Sequence, residues 1–226
     1  MRKYAVREIF NTLQGEGARA GTRAVFVRLA GCNLWSGREQ DRDKGSGACA
    51  RWCDTDFFKG TPMTAQEIAA RCDELWPGDG PFEGPWKWIV LTGGEPTLQL
   101  DRELMAALTA AGFHLSIETN GTNNPMDAAG YLLDDLAHVC VSPKKGAPIV
   151  RKTGHELKVV VPGGAPGFES WTEDEISRMG RMFHEVFIQP EDGPNAIANR
   201  QTAIEMVMRH PGWRLSFQVH KALGLP

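Results

Sequence analysis

The chain has 226 residues, a formal net charge of −3, and 42% hydrophobic and 23% charged residues. This length suits one α/β domain with a buried core, and the slightly acidic balance argues against a nucleic-acid partner, which would require a basic face. Because no signal-like or membrane-length apolar run is found, we expect a cytoplasmic protein without a membrane partner. In that compartment the five cysteines are expected to be ligands or free thiols. Cys72, in a helical pattern, and Cys140, in a strand-like run, are predicted to be buried core thiols.

Strand-like and helical segments alternate along the chain. A weakly alternating segment at residues 4–17 ends in TLQGEG. Strands are predicted at residues 24–29, 88–91, 114–117, 138–141, 157–161, 186–188 and 214–219. Helices are predicted at residues 65–76, 100–111, 127–136, 173–183 and 196–209, with a turn-rich connection at 77–81. Capping boxes at Thr64–Glu67 and Thr172–Glu175 indicate where two of these helices begin.

Polar or glycine-rich residues follow most of the predicted strands. These endings are the cysteine loop, TGGEP, ETNG, SPK and QPEDGP. In parallel α/β folds the carboxyl ends of the strands carry the functional site, so these endings predict a ligand site at one rim. Six or seven strands are fewer than the eight of a closed barrel. We therefore predict an α/β fold with a partial, open (β/α) barrel, formed by residues 1–226 as a single domain.

A long irregular loop at residues 31–57 holds three cysteines directly after the first clear strand. Cys32, Cys49 and Cys53 lie among glycine, charged and polar residues without helical or strand periodicity. Long loops of this kind inside a domain are usually functional. A structural zinc site would require a fourth Cys or His nearby, and the next histidine is His114. Three thiolates on a cubane iron–sulfur cluster would leave one iron open for a ligand. The spacing alone leaves zinc and the cluster as alternatives.

Three cysteines after the first strand and a later strand ending in Gly-Gly-Glu-Pro resemble the radical S-adenosylmethionine superfamily. Within it, TLQGEG, AGCNLWSGRE, CDTDF, LTGGEP, IETNG, VSPK, ELKVV, QPEDGP and HKALGLP are similar to segments of 7-carboxy-7-deazaguanine synthases. The resemblance covers nearly the whole chain. The cysteine spacing departs from the usual C-x3-C-x2-C form, since sixteen residues separate Cys32 from Cys49 and three separate Cys49 from Cys53.

The resemblance implies a lyase that uses a 4Fe–4S cluster, S-adenosylmethionine and Mg²⁺. Its expected reaction converts 6-carboxy-5,6,7,8-tetrahydropterin to 7-carboxy-7-deazaguanine by hydrogen abstraction, ring contraction and loss of ammonia. The product serves the biosynthesis of queuosine and related 7-deazapurines. The resemblance also implies a homodimer and an external reductant of the flavodoxin or ferredoxin kind.

The resemblance further implies a role for individual residues. It assigns the cluster to Cys32, Cys49 and Cys53, and magnesium to Thr55. It assigns S-adenosylmethionine to Trp52, Gly94, Ser142, Pro143, Lys144, Gln189, Pro190, Glu191 and Asp192. It assigns the pterin substrate to Leu13, Gln14, Gly15, Arg28, Thr92 and Pro226. Glu16 and Glu118 are candidate catalytic residues and His220 is a further candidate, with structural roles open for all three.

The last seven residues, 220–226, are expected to fold over the site. Leu223, Leu225 and Pro226 are apolar enough to dock, although chain ends usually fray. The terminal carboxylate would then accept hydrogen bonds from the adjacent N–H and amino groups of a pterin.

Two alternatives to this function remain open on the sequence. One is another radical S-adenosylmethionine enzyme, such as an activase that makes a glycyl radical on a partner protein and needs a protein-docking surface. The other is a zinc- or cluster-binding structural or electron-carrier module, which would have no use for the TGGEP and SPK segments. Metal analysis distinguishes zinc from an iron–sulfur cluster.

Overall fold

The computed structural model describes residues 1–76, 78, 87–124 and 136–226. The predicted turn-rich connection at 77–81, apart from Gly78, lies outside the described residues. So does the predicted helix at 127–136, apart from Leu136. Within the described ranges, no helix combines the length and the apolar character needed to cross a membrane.

The strands of the described residues form one nine-stranded sheet. They are β1 (Tyr4–Leu13), β2 (Arg23–Leu29), β3 (Thr61–Met63), β4 (Trp88–Gly93), β5 (His114–Thr119), β6 (His138–Val141), β7 (Gly154–Val161), β8 (Phe183–Pro190) and β9 (Trp213–Leu215). The spatial order is β3-β1-β2-β4-β5-β6-β7-β8-β9. Neighbours from β2 to β9 run parallel, whereas β1 pairs antiparallel with β2 and β3. Because the order is linear, with β3 and β9 as edges, the predicted open α/β architecture is confirmed.

One face of this sheet is covered by α1 (Ala65–Leu75), α2 (Arg102–Ala110), α3 (Glu173–Gly180) and α4 (Ala196–Arg209). The short helix α5 (Val219–Leu223) lies instead beside the loop after β1. Both predicted capping boxes are present. In the first, the Thr64 hydroxyl accepts from the Glu67 amide at 3.2 Å, and the Glu67 carboxylate accepts from the Thr64 amide at 2.7 Å. The amides at the start of α1 are therefore satisfied locally.

Alternation along the strands separates an apolar face from a polar one. In β7, Leu157, Val159 and Val161 pack with Ile176 of α3 in one buried apolar cluster. A second cluster joins α1 and α2 to β1, β2, β4, β5 and β6. Lys158, between these apolar residues of β7, lies on the opposite face and lines a cavity. The sheet thus uses one face for stability and leaves the other for a site.

The chain end differs from the sequence prediction. The strand predicted at 214–219 is wrong in its second half, because β9 ends at Leu215 and Val219 begins α5. The Val219 amide donates to the Gly15 carbonyl oxygen at 3.0 Å, so this backbone bonds to the loop after β1 and does not extend the ladder with β8. Gly224, with φ of 66°, then ends α5 in the left-handed conformation that favours glycine.

Two further differences concern element number and length. The six or seven predicted strands become nine because β1 and β3 add an antiparallel edge. β3 has only three residues and includes Pro62, which is tolerated on an edge strand but hides the strand pattern. The helix predicted to reach about residue 183 ends at Gly180, since Phe183 begins β8.

Candidate active site

The carboxyl ends of the parallel strands, the cysteine loop and the chain end enclose a cavity of about 540 Å³. Seventeen of the residues assigned from the sequence line it: Leu13, Gln14, Glu16, Arg28, Cys32, Cys49, Trp52, Cys53, Thr55, Thr92, Gly94, Glu118, Ser142, Lys144, Gln189, His220 and Pro226. Five others do not contribute to its lining: Gly15, Pro143, Pro190, Glu191 and Asp192. The structure therefore brings most of the predicted residues to one place, and the role of each stays a prediction.

Three of these five residues, Gly15, Glu191 and Asp192, contact neighbouring segments of the chain. Gly15 backs onto His220, whose Nδ1 would be 1.9 Å from a Cβ at that position. The Glu191 amide donates to the Val161 carbonyl oxygen at 2.8 Å. Asp192 accepts from Lys221 of α5 at 2.7 Å. These contacts stabilise the loops from which the lining residues project.

Three thiols define one end of the cavity. Cys32 follows β2, Cys49 lies in a 3₁₀ turn, and the Cys53 amide donates to the Cys49 carbonyl oxygen at 2.7 Å. Burial raises the pKa of the Cys32 thiol and raises that of Cys49 to about 11. Cys32 and Cys53 pack against the apolar cluster of Trp35, Ala50 and Phe57. These thiols are therefore held in largely apolar surroundings.

This donor set fits an iron–sulfur cluster. Three thiols of one loop line one cavity, and thiolates in a low-polarity shell are the usual ligands of such clusters. Over the described residues, no group of three or more His, Cys, Asp or Glu side chains is arranged to hold a single metal ion. Cys72 and Cys140 do not line the cavity and are buried, as the sequence predicts.

The segment after β4 brings backbone close to Cys32. A Cβ at Gly94 would be 2.2 Å from the Gly31 carbonyl oxygen and 2.9 Å from Cys32 Cβ, so only glycine fits. Glu95 is fully buried and accepts from the Thr119 hydroxyl at 2.7 Å and the Asn120 amide at 2.7 Å. Glu95 thus ties this loop to the end of β5 and stabilises the glycine backbone at the cavity wall.

Charged side chains define the other end of the cavity. Lys158 Nζ lies 2.5 Å from Glu16 Oε2 and 2.8 Å from Glu118 Oε2. The amides of Gln189 and Gln218 donate to Glu16 Oε1 at 3.1 and 2.8 Å. Each of these residues lines the cavity. Sequence reasoning missed Lys158 and Gln218; the one signal for Lys158 was a cation between apolar residues of the ELKVV strand.

The three central charges stabilise one another. Burial alone would raise the pKa of Glu16, but Lys158 and the Gln218 amide lower it to about 2. Burial alone would lower the pKa of Lys158, but the carboxylates of Glu118 and Glu16 raise it well above its usual range. Glu16 is therefore an anion, and Lys158 a cation, at neutral pH.

Arg28 and Thr92 lie side by side on adjacent strands. They are register partners of β2 and β4, and both line the cavity. Arg28 Nε donates to Glu8 Oε1 at 2.6 Å, which fixes the orientation of the guanidinium group. A guanidinium group binds carboxylate in a two-pronged geometry, so this pair suits an acidic group of a ligand.

Thr55 lies in the lining between two paired aspartates. Asp54 accepts from Lys221 at 2.6 Å, and Asp56 pairs with Arg7. All three residues of this Asp-Thr-Asp segment line the cavity. The Thr55 hydroxyl therefore offers a neutral oxygen beside two carboxylates that already have cationic partners.

The chain end closes the open side of the barrel. The Thr12 hydroxyl donates to the Pro226 carbonyl oxygen at 3.3 Å, which joins the last residue to β1. Leu225, Pro226 and His220 line the cavity, and burial lowers the pKa of His220. Residues 220–226 thus lie across the site as expected, while the role of a terminal carboxylate stays a prediction.

The parallel, unclosed sheet around a three-thiol cavity is a radical S-adenosylmethionine fold. The crystal structure of QueE from Escherichia coli matches it with a TM-score of 0.64, covering 96% of this chain and 94% of that chain at 22% identity. No family model matches the chain.

Curated relatives specify the family. The 7-carboxy-7-deazaguanine synthase of Caulobacter vibrioides is 45% identical over 229 residues, 99% of each chain. The synthase of Burkholderia multivorans is 45% identical over 230 residues with the same coverage, and that of Bacteroides thetaiotaomicron is 36% identical over 225 residues. The chain belongs to the 7-carboxy-7-deazaguanine synthase family of enzymes. This membership argues against the activase and the structural metal module.

Proposed function

We propose that residues 1–226 act as one domain that converts 6-carboxy-5,6,7,8-tetrahydropterin to 7-carboxy-7-deazaguanine. The reaction would proceed by hydrogen abstraction, ring contraction and loss of ammonia in the biosynthesis of queuosine or a related 7-deazapurine. One observation carries the proposal: three thiols, a glycine backbone and a charged wall line one cavity of about 540 Å³. The charged wall consists of Glu16, Glu118 and Lys158. Such a cavity has the volume of an ordinary small-molecule site.

The thiol end suits the two cofactors of this reaction. Cys32, Cys49 and Cys53 would hold the 4Fe–4S cluster, and Gly94 would meet the amino group of S-adenosylmethionine. Bound there, the two groups would supply the one-electron chemistry that removes a hydrogen atom from the substrate. An external flavodoxin- or ferredoxin-like reductant and a homodimeric assembly complete the proposal.

Side chains around the thiol end suit the adenosine part. Trp52 lies in the cavity lining, and its Nε1 is buried without a hydrogen-bond partner among the described residues. Lys144 Nζ donates to the Ser142 hydroxyl at 2.7 Å and lies 5.8 Å from the Trp52 ring. Trp52 would stack on the adenine, and polar groups would bind the ribose and the adenine edge. Those polar and supporting residues are Ser142, Pro143, Lys144, Gln189, Pro190, Glu191 and Asp192.

The charged end suits the tetrahydropterin. Arg28 and Thr92 would bind its carboxylate, while the backbone of Leu13, Gln14 and Gly15 and the terminal Pro226 would contact the pterin edge. Thr55 would contribute one oxygen to Mg²⁺, which typically retains several waters and uses few protein ligands.

Glu16 and Glu118 are the proposed catalytic carboxylates at this end. Because the pKa of Glu16 is about 2, this residue accepts hydrogen bonds at neutral pH and does not donate a proton. Glu118 receives the Gln14 amide at 3.2 Å on one oxygen and Lys158 at 2.8 Å on the other, and it faces the same cavity.

The direct test is an anaerobic incubation of cluster-reconstituted protein with S-adenosylmethionine, dithionite, Mg²⁺ and the tetrahydropterin. We expect 7-carboxy-7-deazaguanine and release of ammonia, both lost when S-adenosylmethionine is omitted. The iron content and the cleavage of S-adenosylmethionine are measured in parallel. Protein that carries a full cluster and cleaves S-adenosylmethionine, yet forms no deazapurine, would contradict the proposal.

A further inference from the structure

Lys158 is a buried cation that bridges two distant segments of the cavity wall. It lies on β7, whereas Glu16 follows β1 and Glu118 lies on β5. Its Nζ contacts Glu16 at 2.5 Å and Glu118 at 2.8 Å, and its side chain is only 4% exposed. One ammonium group therefore fixes the distance between two carboxylates.

The second oxygen of each carboxylate is also bound. Gln14 Nε2 donates to Glu118 Oε1 at 3.2 Å, and Gln14 Oε1 accepts from the Glu16 amide at 3.1 Å. Gln189 and Gln218 donate to Glu16 Oε1. Each carboxylate thus receives the lysine on one oxygen and a neutral amide on the other, so its orientation is set before any ligand arrives.

The electrostatic role of the lysine follows from what its removal would do. Two carboxylates in one buried wall repel each other, and such repulsion favours a proton on one of them. A protonated carboxyl group becomes a donor, while an ionised one only accepts. A pterin ring presents N–H and amino groups, which require acceptors.

We propose that Lys158 is a positioning residue that offsets the repulsion between Glu16 and Glu118 and holds them correctly spaced, so that the wall accepts hydrogen bonds from the N–H and amino groups of the substrate. This inference rests on the proposed function. It adds to it a residue that does not react but determines the donor–acceptor character of the substrate site.

Other titratable groups around Lys158 are either paired or neutral. Glu156 accepts from the Ala18 amide at 3.1 Å and pairs with His138 Nε2 at 2.5 Å. Cys140 is fully buried, which raises the pKa of its thiol well above the usual value and keeps it neutral. His220, on the Glu16 side, has a lowered pKa and is neutral above pH 7. Between pH 7 and 9 the wall of the native protein therefore keeps one charge state.

The experiment measures binding of the tetrahydropterin by calorimetry to the reconstituted holoenzyme between pH 7 and 9. For wild type we expect affinity that changes little with pH. For Lys158→Met we expect affinity at least about tenfold weaker at pH 7, equivalent to the loss of one good hydrogen bond, and recovering as pH rises. Lys158→Arg should retain most of the affinity. Lys87→Met, which removes a lysine paired with Asp73 away from the cavity, should behave as wild type.

A double variant separates charge repulsion from packing. Lys158→Met/Glu118→Gln removes one cation and one anion, so the net charge of the wall is unchanged and folding is protected. It should bind weakly but without pH dependence, because the repulsion that traps the proton is gone. Iron content and S-adenosylmethionine binding should match wild type in every variant.

The outcomes distinguish this inference from the proposed function. Two results would each show that the lysine only fills space. In the first, Lys158→Met binds the tetrahydropterin equally weakly at all pH values; in the second, the double variant shows the same pH dependence of affinity as the single variant. If the wild-type protein binds the tetrahydropterin tightly and either of these results is found, this inference alone is overturned. A wild-type holoenzyme that binds no tetrahydropterin at any pH overturns the proposed function and this inference together.

Discussion

The two ends of the cavity are built in opposite ways. At the charged end, Glu16 and Lys158 are paired with other protein groups, and their pKa values are shifted toward the charged forms. At the thiol end, burial shifts the pKa of Cys32 and Cys49 toward the neutral forms. Folding alone therefore provides the charged end with partners that stabilise its ionised groups, while the thiol end requires a metal group to stabilise its thiolates.

This difference implies that binding of the iron–sulfur cluster releases protons at the thiol end, whereas the charged end releases none. The pKa of Cys49 is about 11, so its thiol is protonated at neutral pH and must lose that proton to bind iron. The charged end has no such requirement, since Glu16 is already ionised. Cluster assembly should therefore become more favourable as pH rises, whereas the charged wall should stay constant.

The largest expected effect concerns the thiol end. Replacing Cys32, Cys49 or Cys53 with Ala should abolish cluster assembly, because three thiolates are needed to hold the cubane. The measurement is iron and sulfide content with the visible absorption of the reconstituted protein. Cys72→Ala is the matched control: it removes a buried thiol outside the cavity lining and should retain iron. Loss of iron in Cys72→Ala would mean that the ligand assignment is wrong.

At the charged end, the chain terminus offers the next largest effect. Residues added after Pro226 should raise the KM for the tetrahydropterin about tenfold or more, because a hydrogen bond to a charged group contributes roughly 1.5–3 kcal/mol. Pro226 lines the cavity, so an extension would also occupy space there. Iron content and S-adenosylmethionine binding should not change, and an N-terminal tag is the control. An unaltered KM in the extended protein would contradict a role for the terminal carboxylate.

A third prediction concerns Thr55, the proposed magnesium ligand in the cavity lining. Thr55→Ala should weaken the dependence of the rate on Mg²⁺ while cluster and cofactor binding persist, because it removes the neutral oxygen between Asp54 and Asp56. Thr55→Ser retains that oxygen and should keep the magnesium response. Rate measurements across a magnesium titration provide the comparison. The same magnesium dependence in Thr55→Ala and wild type would exclude this residue as a ligand.

The smallest effect is expected from the exposed ion pairs of the tail. Lys221 binds Asp54 and Asp192, but its side chain is 36% exposed and the aspartates are 63% and 51% exposed. Solvent screens such pairs, so Lys221→Met should lower the free energy of unfolding by less than about 1 kcal/mol. Urea unfolding measures this change. A loss of several kcal/mol would show that exposed tail contacts contribute as much as the buried charged wall.

The regular secondary structure was largely predictable from the sequence. α4 has the predicted bounds of 196–209, and both capping boxes are present, because these signals depend on neighbouring residues. α5 and β3 were missed because five and three residues are too few to establish a period.

The site was predictable where it follows strand ends and motifs, and less so where it depends on side chains meeting across the barrel. The three cysteines share one loop, so their proximity is visible in the sequence. Lys158 lies 142 residues from Glu16, and their contact depends on the order and curvature of the whole sheet. No local pattern contains that information, which is why the bridge from Lys158 to Glu16 and Glu118 emerged only from the structure.

The hydrogen bond between Gln218 and Glu16 joins residues that are 202 positions apart in the chain. Because the entropy of closing a long loop must be overcome first, we expect contacts of such separation to form late in folding. On the ribosome, Glu16 emerges long before Gln218, Ser216 or the segment that closes the barrel. A nascent chain can therefore expose the cysteine loop while its substrate wall is still incomplete. During synthesis, the substrate side of the cavity is therefore complete only after the segment around residues 216–226 has docked.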